Sequence, residues 1–298
     1  MKLGLVMEGG AMRGMFTAGV LDVLMKNQIT FDGAIGVSAG ATFGCNIKSQ
    51  QIGRAIRYNL KYCRNWRYGS TRSFLHSGNM FDYDFCYRQI PERLDPFDTK
   101  TFAENPMAFY IVATDLESGQ PAYKLLSSGR GEDLAWICAS ASMPLVSKTV
   151  ILDGHKYLDG GISDSIPLNF FETIGYERNV VIETQPEGYV KEPTRSMPAV
   201  RMRYAAYPNF IEAMKNRPRM YNEETAYVRE AEKAGRAFVI RPPEALDISA
   251  TTKDPNELKR VYLIGKHEAM KALPALYDFI RDPEHHYTTV ACDPAEEA

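Results

Sequence analysis

Ala34-Ile35-Gly36-Val37-Ser38-Ala39-Gly40 is a short apolar run that ends in a serine between two glycines and opens a segment rich in small residues. A Gly-x-Ser-x-Gly pentapeptide where a strand turns into a helix is how α/β hydrolytic enzymes expose a nucleophile. The turn is tight enough for flanking side chains to clash, and Gly36 and Gly40 answer that need. The hydroxyl is left at the head of a helix, where unpaired N–H groups and the dipole favour negative charge on an attacked carbonyl oxygen. The same pentapeptide also serves as a plain turn, so its meaning depends on what else the chain offers.

Upstream, Glu8-Gly9-Gly10-Ala11-Met12-Arg13-Gly14 follows the apolar Leu3-Gly4-Leu5-Val6-Met7 and precedes an apolar-periodic segment from Met15 to Met25. In a strand, glycine-rich loop and helix of this kind, backbone N–H groups point at an anion. The anion is either a phosphate or the oxyanion of an acyl-transfer intermediate. A nucleotide reading lacks the terminal Gly-Lys-Ser/Thr, and Ala11 stands where the dinucleotide fingerprint needs its middle glycine. Downstream, Val150-Ile151-Leu152 and Lys156-Tyr157-Leu158 flank Asp153-Gly154-His155, a hairpin signal. The hairpin closes on Leu158-Asp159-Gly160-Gly161. An aspartate before two glycines at a strand end is commonly a turn residue. It gains interest in a chain whose serine lacks an evident base.

In this order, the three elements resemble the patatin-like phospholipase family, with its glycine-rich oxyanion loop ending in Arg-Gly, its Gly-x-Ser-x-Gly elbow and its later Asp-Gly-Gly. The resemblance covers residues 1–185, including the small-residue segment Ala139-Ser140-Ala141-Ser142-Met143-Pro144. Ala11 departs from the commoner third consecutive glycine but keeps its N–H. The resemblance implies an α/β fold, a Ser38–Asp159 dyad and lipid acyl hydrolase chemistry on a phospholipid or other fatty-acyl ester. The oxyanion loop would comprise Gly9, Gly10, Ala11, Met12, Arg13 and Gly14, with Gly36, Gly40, Gly160 and Gly161 supporting the motifs.

A serine hydroxyl needs a base during attack. In a dyad the aspartate takes the proton itself, and burial beside apolar neighbours such as Leu158 and Ile162 would raise its basicity. Water then hydrolyses the acyl-enzyme with Asp159 again as base. A Ser-His-Asp triad is the rival, and His267, His285 or His286 would fit the chain order Ser, acid, His. His267 reads as a helix-face residue and His155 as a hairpin-tip residue. Arg13 either acts by charge or fixes its loop through carbonyl hydrogen bonds, the latter being the expectation. No His-x-x-x-His, Cys-x-x-Cys or Glu-x-x-His spacing occurs, so neither metal nor cofactor is expected.

With 298 residues, 45% of them hydrophobic, the chain can bury one large core or two modest ones. A formal net charge of −2 gives no bulk drive towards nucleic acid. The scattered Cys45, Cys63, Cys86, Cys138 and Cys292 read as reduced thiols. With no leader-like segment and no apolar run of about 20 residues, the expectation is a cytoplasmic protein.

Short apolar runs at Leu3–Met7, Ala34–Val37, Ala108–Ala113 and Val180–Thr184 predict buried parallel strands. Helical patterns at Met15–Met25, Ala39–Lys48 and Asp133–Ser140 alternate with them, predicting a doubly wound, mostly parallel α/β sheet over residues 1–185. Residues 186–298 predict an α-rich extension with helices at Pro208–Lys215, Asn222–Ala234 and Pro255–Lys271, and a strand at Ala237–Ile240 that joins the main sheet. Between Ile52 and Tyr68, the spacing of Arg54, Arg57, Lys61, Arg64 and Arg67 puts five cations on one helix face. That face reads as solvated, with peripheral membrane contact as the alternative. Two further function classes stay open: a catalytically silent lipid- or membrane-binding module and a nucleotide-binding α/β protein.

Overall fold

A computed structural model describes residues 1–281. Its strands are β1 (Leu3–Met7), β2 (Gly33–Val37), β3 (Ala108–Asp115), β4 (Pro121–Leu126), β5 (Val150–Leu152), β6 (His155–Asp159), β7 (Arg178–Ile182) and β8 (Ala237–Ile240). The first helices are α1 (Gly14–Lys26), α2 (Ala39–Lys48), α3 (Arg54–Tyr62), α4 (Thr71–Ser77) and α5 (Thr99–Glu104). They are followed by α6 (Glu132–Ser140), α7 (Leu168–Thr173), α8 (Met197–Arg203), α9 (Pro208–Lys233) and α10 (Pro255–Arg281).

Strands β3, β2, β1, β7 and β8 lie side by side in that order, all parallel. Because successive side chains leave opposite faces of a strand, a parallel strand covered on both sides must be apolar throughout. Leu5 and Met7 enter one core with Phe16 of α1, Ile47 of α2 and Val261 of α10. Val6, Ile35, Val37 and Val181 enter the other, against Phe171 of α7 and Tyr221 and Val228 of α9. The sheet is thus α/β with helices on both faces, and its antiparallel part is the β4 and β5–β6 additions to β3.

The C-terminal segment is built into this sheet. Strand β8 pairs with β7, and α10 crosses α1 where two glycines meet. A Cβ on Gly19 would lie 2.1 Å from the Tyr262 carbonyl oxygen, and one on Gly265 would lie 2.1 Å from that of Phe16. Only glycine permits backbones to approach this closely.

Two expectations from sequence are corrected. The patterns at 208–215 and 222–234 are one 26-residue helix that runs through Pro218. Its packing against the sheet outweighs the hydrogen bond that proline removes. The five cations of residues 52–68 do not all share one helix face, because α3 ends at Tyr62, before Arg64 and Arg67. Arg54 is only 4% exposed, donates to the Asp95 carbonyl and packs over Tyr58 and Phe97. Arg57 pairs with the Asp95 carboxylate, and Arg67 covers Phe85. Arg54 and Arg67 thus serve the fold, while Arg57, Lys61 and Arg64 are exposed. Among the described residues, no helix is long and apolar enough to cross a membrane. His285, His286 and Cys292 lie outside the described residues.

Candidate active site

Strand β3 acts as the ruler that brings Ser38 and Asp159 together. β4 occupies one edge of β3 along residues 109–114. β2 occupies the other edge as far as the pair Val37–Val112. Asp159, the last residue of β6, pairs with the next position on β3, Ala113. With the β4 edge already filled, β6 must abut the end of β2. The residue after Val37 and the last residue of β6 therefore meet at adjacent rungs. Ser38 Oγ donates to Asp159 Oδ2 at 2.7 Å, and Gly161 N–H donates to Oδ1 at 2.9 Å.

The elbow is strained. Ser38 has φ 54° and ψ −115°, a backbone conformation that side-chain-bearing residues avoid at about 1–3 kcal/mol. Its amide donates to Ser140 Oγ, and its carbonyl receives the amides of Ala41 and Thr42, which begins α2. The glycines allow the chain to pass. A Cβ on Gly36 would lie 2.4 Å from the Gly40 carbonyl oxygen, and one on Gly40 would lie 2.4 Å from that of Met7. Gly160 passes as close to the Val112 carbonyl oxygen, where a Cβ would lie at 2.2 Å.

Ser38 and Asp159 are 8% and 6% exposed, so both are shielded from bulk water. Burial raises the Asp159 carboxyl above its ordinary range, against opposing contributions from the Ser38 hydrogen bond and the Arg217 charge. Among the described histidines, His155 pairs with Asp115, His76 packs edge-on against Trp66, and His267 pairs with Glu268. None of them hydrogen-bonds to Ser38 or Asp159. Asp115 binds the Ser118 amide and hydroxyl and so closes its own turn.

The glycine-rich loop divides into used and unused donors. The amide of Arg13 returns to the Gly10 carbonyl, and that of Gly14 returns to its own turn. The backbone amides of Arg13 and Gly14 are therefore taken up within the loop itself. The amides of Gly9, Gly10, Ala11 and Met12 have no acceptor among the described residues. Ala11 has φ 47°, the left-handed region where glycine is the usual occupant. The Arg13 guanidinium reaches Thr184 Oγ1 rather than the carbonyls expected from sequence. The amide of Ala39, directly after Ser38, also lacks an acceptor; elbow geometry commonly uses this donor, and the sequence reading omitted it.

Two cavities meet at Ser38. An apolar cavity of about 100 Å³ extends from Met12 and Ala39 past Phe43, Tyr58, Tyr87 and Ile90. A cleft of about 360 Å³ lies on the Asp159 side, lined by Arg13, Lys191, Arg217 and Tyr221. This second cleft is shaped by α9. Arg217 Nε donates to the Gly161 carbonyl at 2.6 Å. The Tyr221 hydroxyl donates to Glu8 Oε1 at 2.8 Å, and Glu8 also accepts the Thr184 amide. Glu224 accepts the amides of Ser165 and Ile166, while Tyr123 donates to its neighbour Asp164. Burial pushes both carboxyls of the Asp164–Glu224 pair up. Positions 217, 221 and 224 share one helix face, so a single helix holds the loops that carry Glu8 and Asp159. The spacing was readable in the sequence, but nothing local identified its targets. Among the described residues, no cluster of histidine, cysteine and carboxylate side chains suits a metal.

Comparison with known proteins matches residues 5–171 to the patatin-like phospholipase family. Residues 207–281 match a domain of unknown function, DUF6363. The uncharacterized protein YjjU of Escherichia coli K12 is 30% identical over 275 residues, covering 89% of this chain and 75% of YjjU. The neuropathy target esterase sws of Drosophila melanogaster is 25% identical over 190 residues, which span 61% of this chain but only 13% of that protein. Among solved structures, VipD from Legionella pneumophila aligns over 92% of this chain and 67% of its own, with a TM-score of 0.46 and 14% identity.

Proposed function

The chain belongs to the patatin-like phospholipase family, and on that premise we propose that it is a serine acyl-ester hydrolase working through a Ser38–Asp159 dyad on fatty-acyl esters, phospholipids among them. The observation that carries this reading is the 2.7 Å hydrogen bond from Ser38 Oγ to a buried carboxylate, made beside a row of unclaimed backbone amides.

Ser38 Oγ attacks the acyl carbonyl carbon as its proton passes to Asp159 Oδ2. Gly161 holds the other carboxylate oxygen, so the basic one stays aimed at the serine. The amides of Gly10, Ala11 and Met12, with Ala39, are the donors for the oxyanion. Each such donor is worth about 2.7–4 kcal/mol in the transition state. The tetrahedral species collapses, the ester C–O bond breaks, and the departing alkoxide takes the proton from Asp159. Water then attacks the acyl-enzyme, gives its proton to Asp159, and Ser38 leaves with that proton restored. A raised carboxyl pKa suits this cycle, because a base works best when its pKa approaches the operating pH.

The apolar cavity suits an acyl chain, and its rim is shared with Ser38. A fluorophosphonate probe tests the nucleophile: covalent labelling of the full chain, abolished by Ser38→Ala, is expected. An absence of labelling in folded protein counts against the proposal. A lipid panel read by mass spectrometry then defines the ester class.

A further inference from the structure

The two cavities at Ser38 differ in chemistry, and the dyad determines which end of a substrate each receives. The group that protonates the leaving alcohol must face it. Asp159 lines the polar cleft and not the apolar cavity, so the alcohol portion departs through the polar cleft.

Three cations line that cleft, and each comes from a different segment. Arg13 belongs to the glycine-rich loop, Lys191 to the connection after β7, and Arg217 to α9. Among the described residues none of the three pairs with a carboxylate. Arg13 touches the Thr184 hydroxyl, and Arg217 the Gly161 carbonyl. A guanidinium has five N–H donors, so each retains most of its donors. The Lys191 ammonium lies 4.1 Å from the Tyr221 ring centroid. Its backbone is fixed to Asn222 in both directions, since Lys191 N–H donates to Asn222 Oδ1 at 2.8 Å and Asn222 Nδ2 donates to the Lys191 carbonyl. The nearby carboxylates are already satisfied: Glu8 by Tyr221 and Thr184, and Glu224 by the amides of Ser165 and Ile166. Burial, followed by the charges of Arg217 and Arg13, brings Lys191 down to about 8 against the opposing charges of Glu8 and Glu224.

Resting on the hydrolase reading above, we infer that Arg13, Lys191 and Arg217 form a phosphate site on the leaving-group side of Ser38. This site selects acyl esters whose alcohol carries a phosphomonoester. Lys191 and Arg217 both lie outside the family-matched residues 5–171, and Arg217 lies within the domain of unknown function. That region thereby supplies substrate selectivity to a dyad it does not contain. A phosphomonoester brings up to two negative charges and three acceptor oxygens, which suits converging charged donors. A neutral glycerol head would leave the remaining donors of the three cations without a charged acceptor.

Binding and turnover are tested separately. Glycerol 3-phosphate is titrated calorimetrically into the Ser38→Ala chain, with inorganic phosphate and glycerol in parallel. Saturable binding of glycerol 3-phosphate is expected, weakened about 10- to 100-fold by adding Lys191→Gln, the loss of one charge-assisted contact. Phosphate binding without a gain from the glycerol portion would identify a free-anion site and overturn the head-group assignment. In turnover, the ratio of kcat/KM for 1-oleoylglycerol 3-phosphate over 1-oleoylglycerol is expected to exceed one. It should fall about 10-fold or more in Lys191→Gln. Arg217→Gln should act in the same direction, but it also frees the Gly161 carbonyl, so Lys191→Gln carries the decision. A ratio near one, unmoved by Lys191→Gln, overturns the phosphate site while turnover of either ester leaves the hydrolase reading intact. Lys191-dependent binding of glycerol 3-phosphate with no ester turnover sustains the site and removes the hydrolase reading.

Discussion

Replacing Asp159 with asparagine separates a catalytic carboxylate from a structural one. The carboxylate accepts two hydrogen bonds on two oxygens, from Ser38 at 2.7 Å and from the Gly161 amide at 2.9 Å. Asparagine keeps the shape but only one acceptor. The Gly161 N–H is fixed in the backbone and claims that oxygen, so the NH₂ group faces Ser38. The serine hydroxyl then becomes an acceptor with no base. Loss of a positioned general base costs about 10²–10⁴ in rate, or about 2.7–5.5 kcal/mol of transition-state stabilisation. Stability should respond in the opposite direction. Burial raises the native carboxyl pKa above its unfolded value, so the folded state binds this proton more tightly. The contribution of Asp159 to stability is therefore complete in acid and declines as pH rises through the raised native value. Asp159→Asn escapes that decline. Its melting temperature near neutral pH is expected to equal or exceed that of the parent chain, with the gap closing in acid. The assays are turnover of a short-chain p-nitrophenyl ester and a pH series of thermal melts. Turnover within about 10-fold of the parent chain would show that the base is another group.

Ala11→Gly removes a Cβ from a residue at φ 47°. Relief of about 1–2 kcal/mol is offset by about 0.4–1 kcal/mol of added unfolded-state entropy, so a modest gain in denaturant midpoint is expected. Leu134→Trp adds bulk to the wall of the apolar cavity, and a methylene there is worth about 1–3 kcal/mol. The ratio of decanoyl to butyryl ester turnover should fall, and an unchanged ratio would place the acyl chain elsewhere. Glu183 is pushed up from 4.5 to about 7, mainly by burial and despite Arg241. Its raised native value means that stability falls as pH rises from about 5 to 8. Glu183→Gln should flatten that slope in urea titrations repeated across the range.

The α/β sheet was legible because its central strands must be apolar on both faces and its connections carry helical periodicity. Leu3–Met7 and Ala237–Ile240 emerge with the boundaries their patterns suggest. The glycines at 36, 40 and 160 were legible for a related reason, since backbone approaches closer than about 3 Å exclude any other residue. Arg54 misled because charge spacing cannot reveal a buried partner 41 residues away at Asp95. Pro218 misled because a proline reads as a stop until packing along the whole of α9 is weighed against one lost hydrogen bond.

Local chemistry along the chain carried the serine, the aspartate and the glycine loop, each as an isolated short pattern. Their meeting could not be carried that way. It depends on β4 filling one edge of β3 so that β6 must continue where β2 ends, a competition for hydrogen-bonding positions among strands far apart in sequence. The cationic cleft is likewise a product of assembly, because Arg13, Lys191 and Arg217 become neighbours only when α9 packs against the loops that carry Glu8 and Gly161. Hydrogen-bond geometry and charge act through space, and only the folded chain fixes those distances.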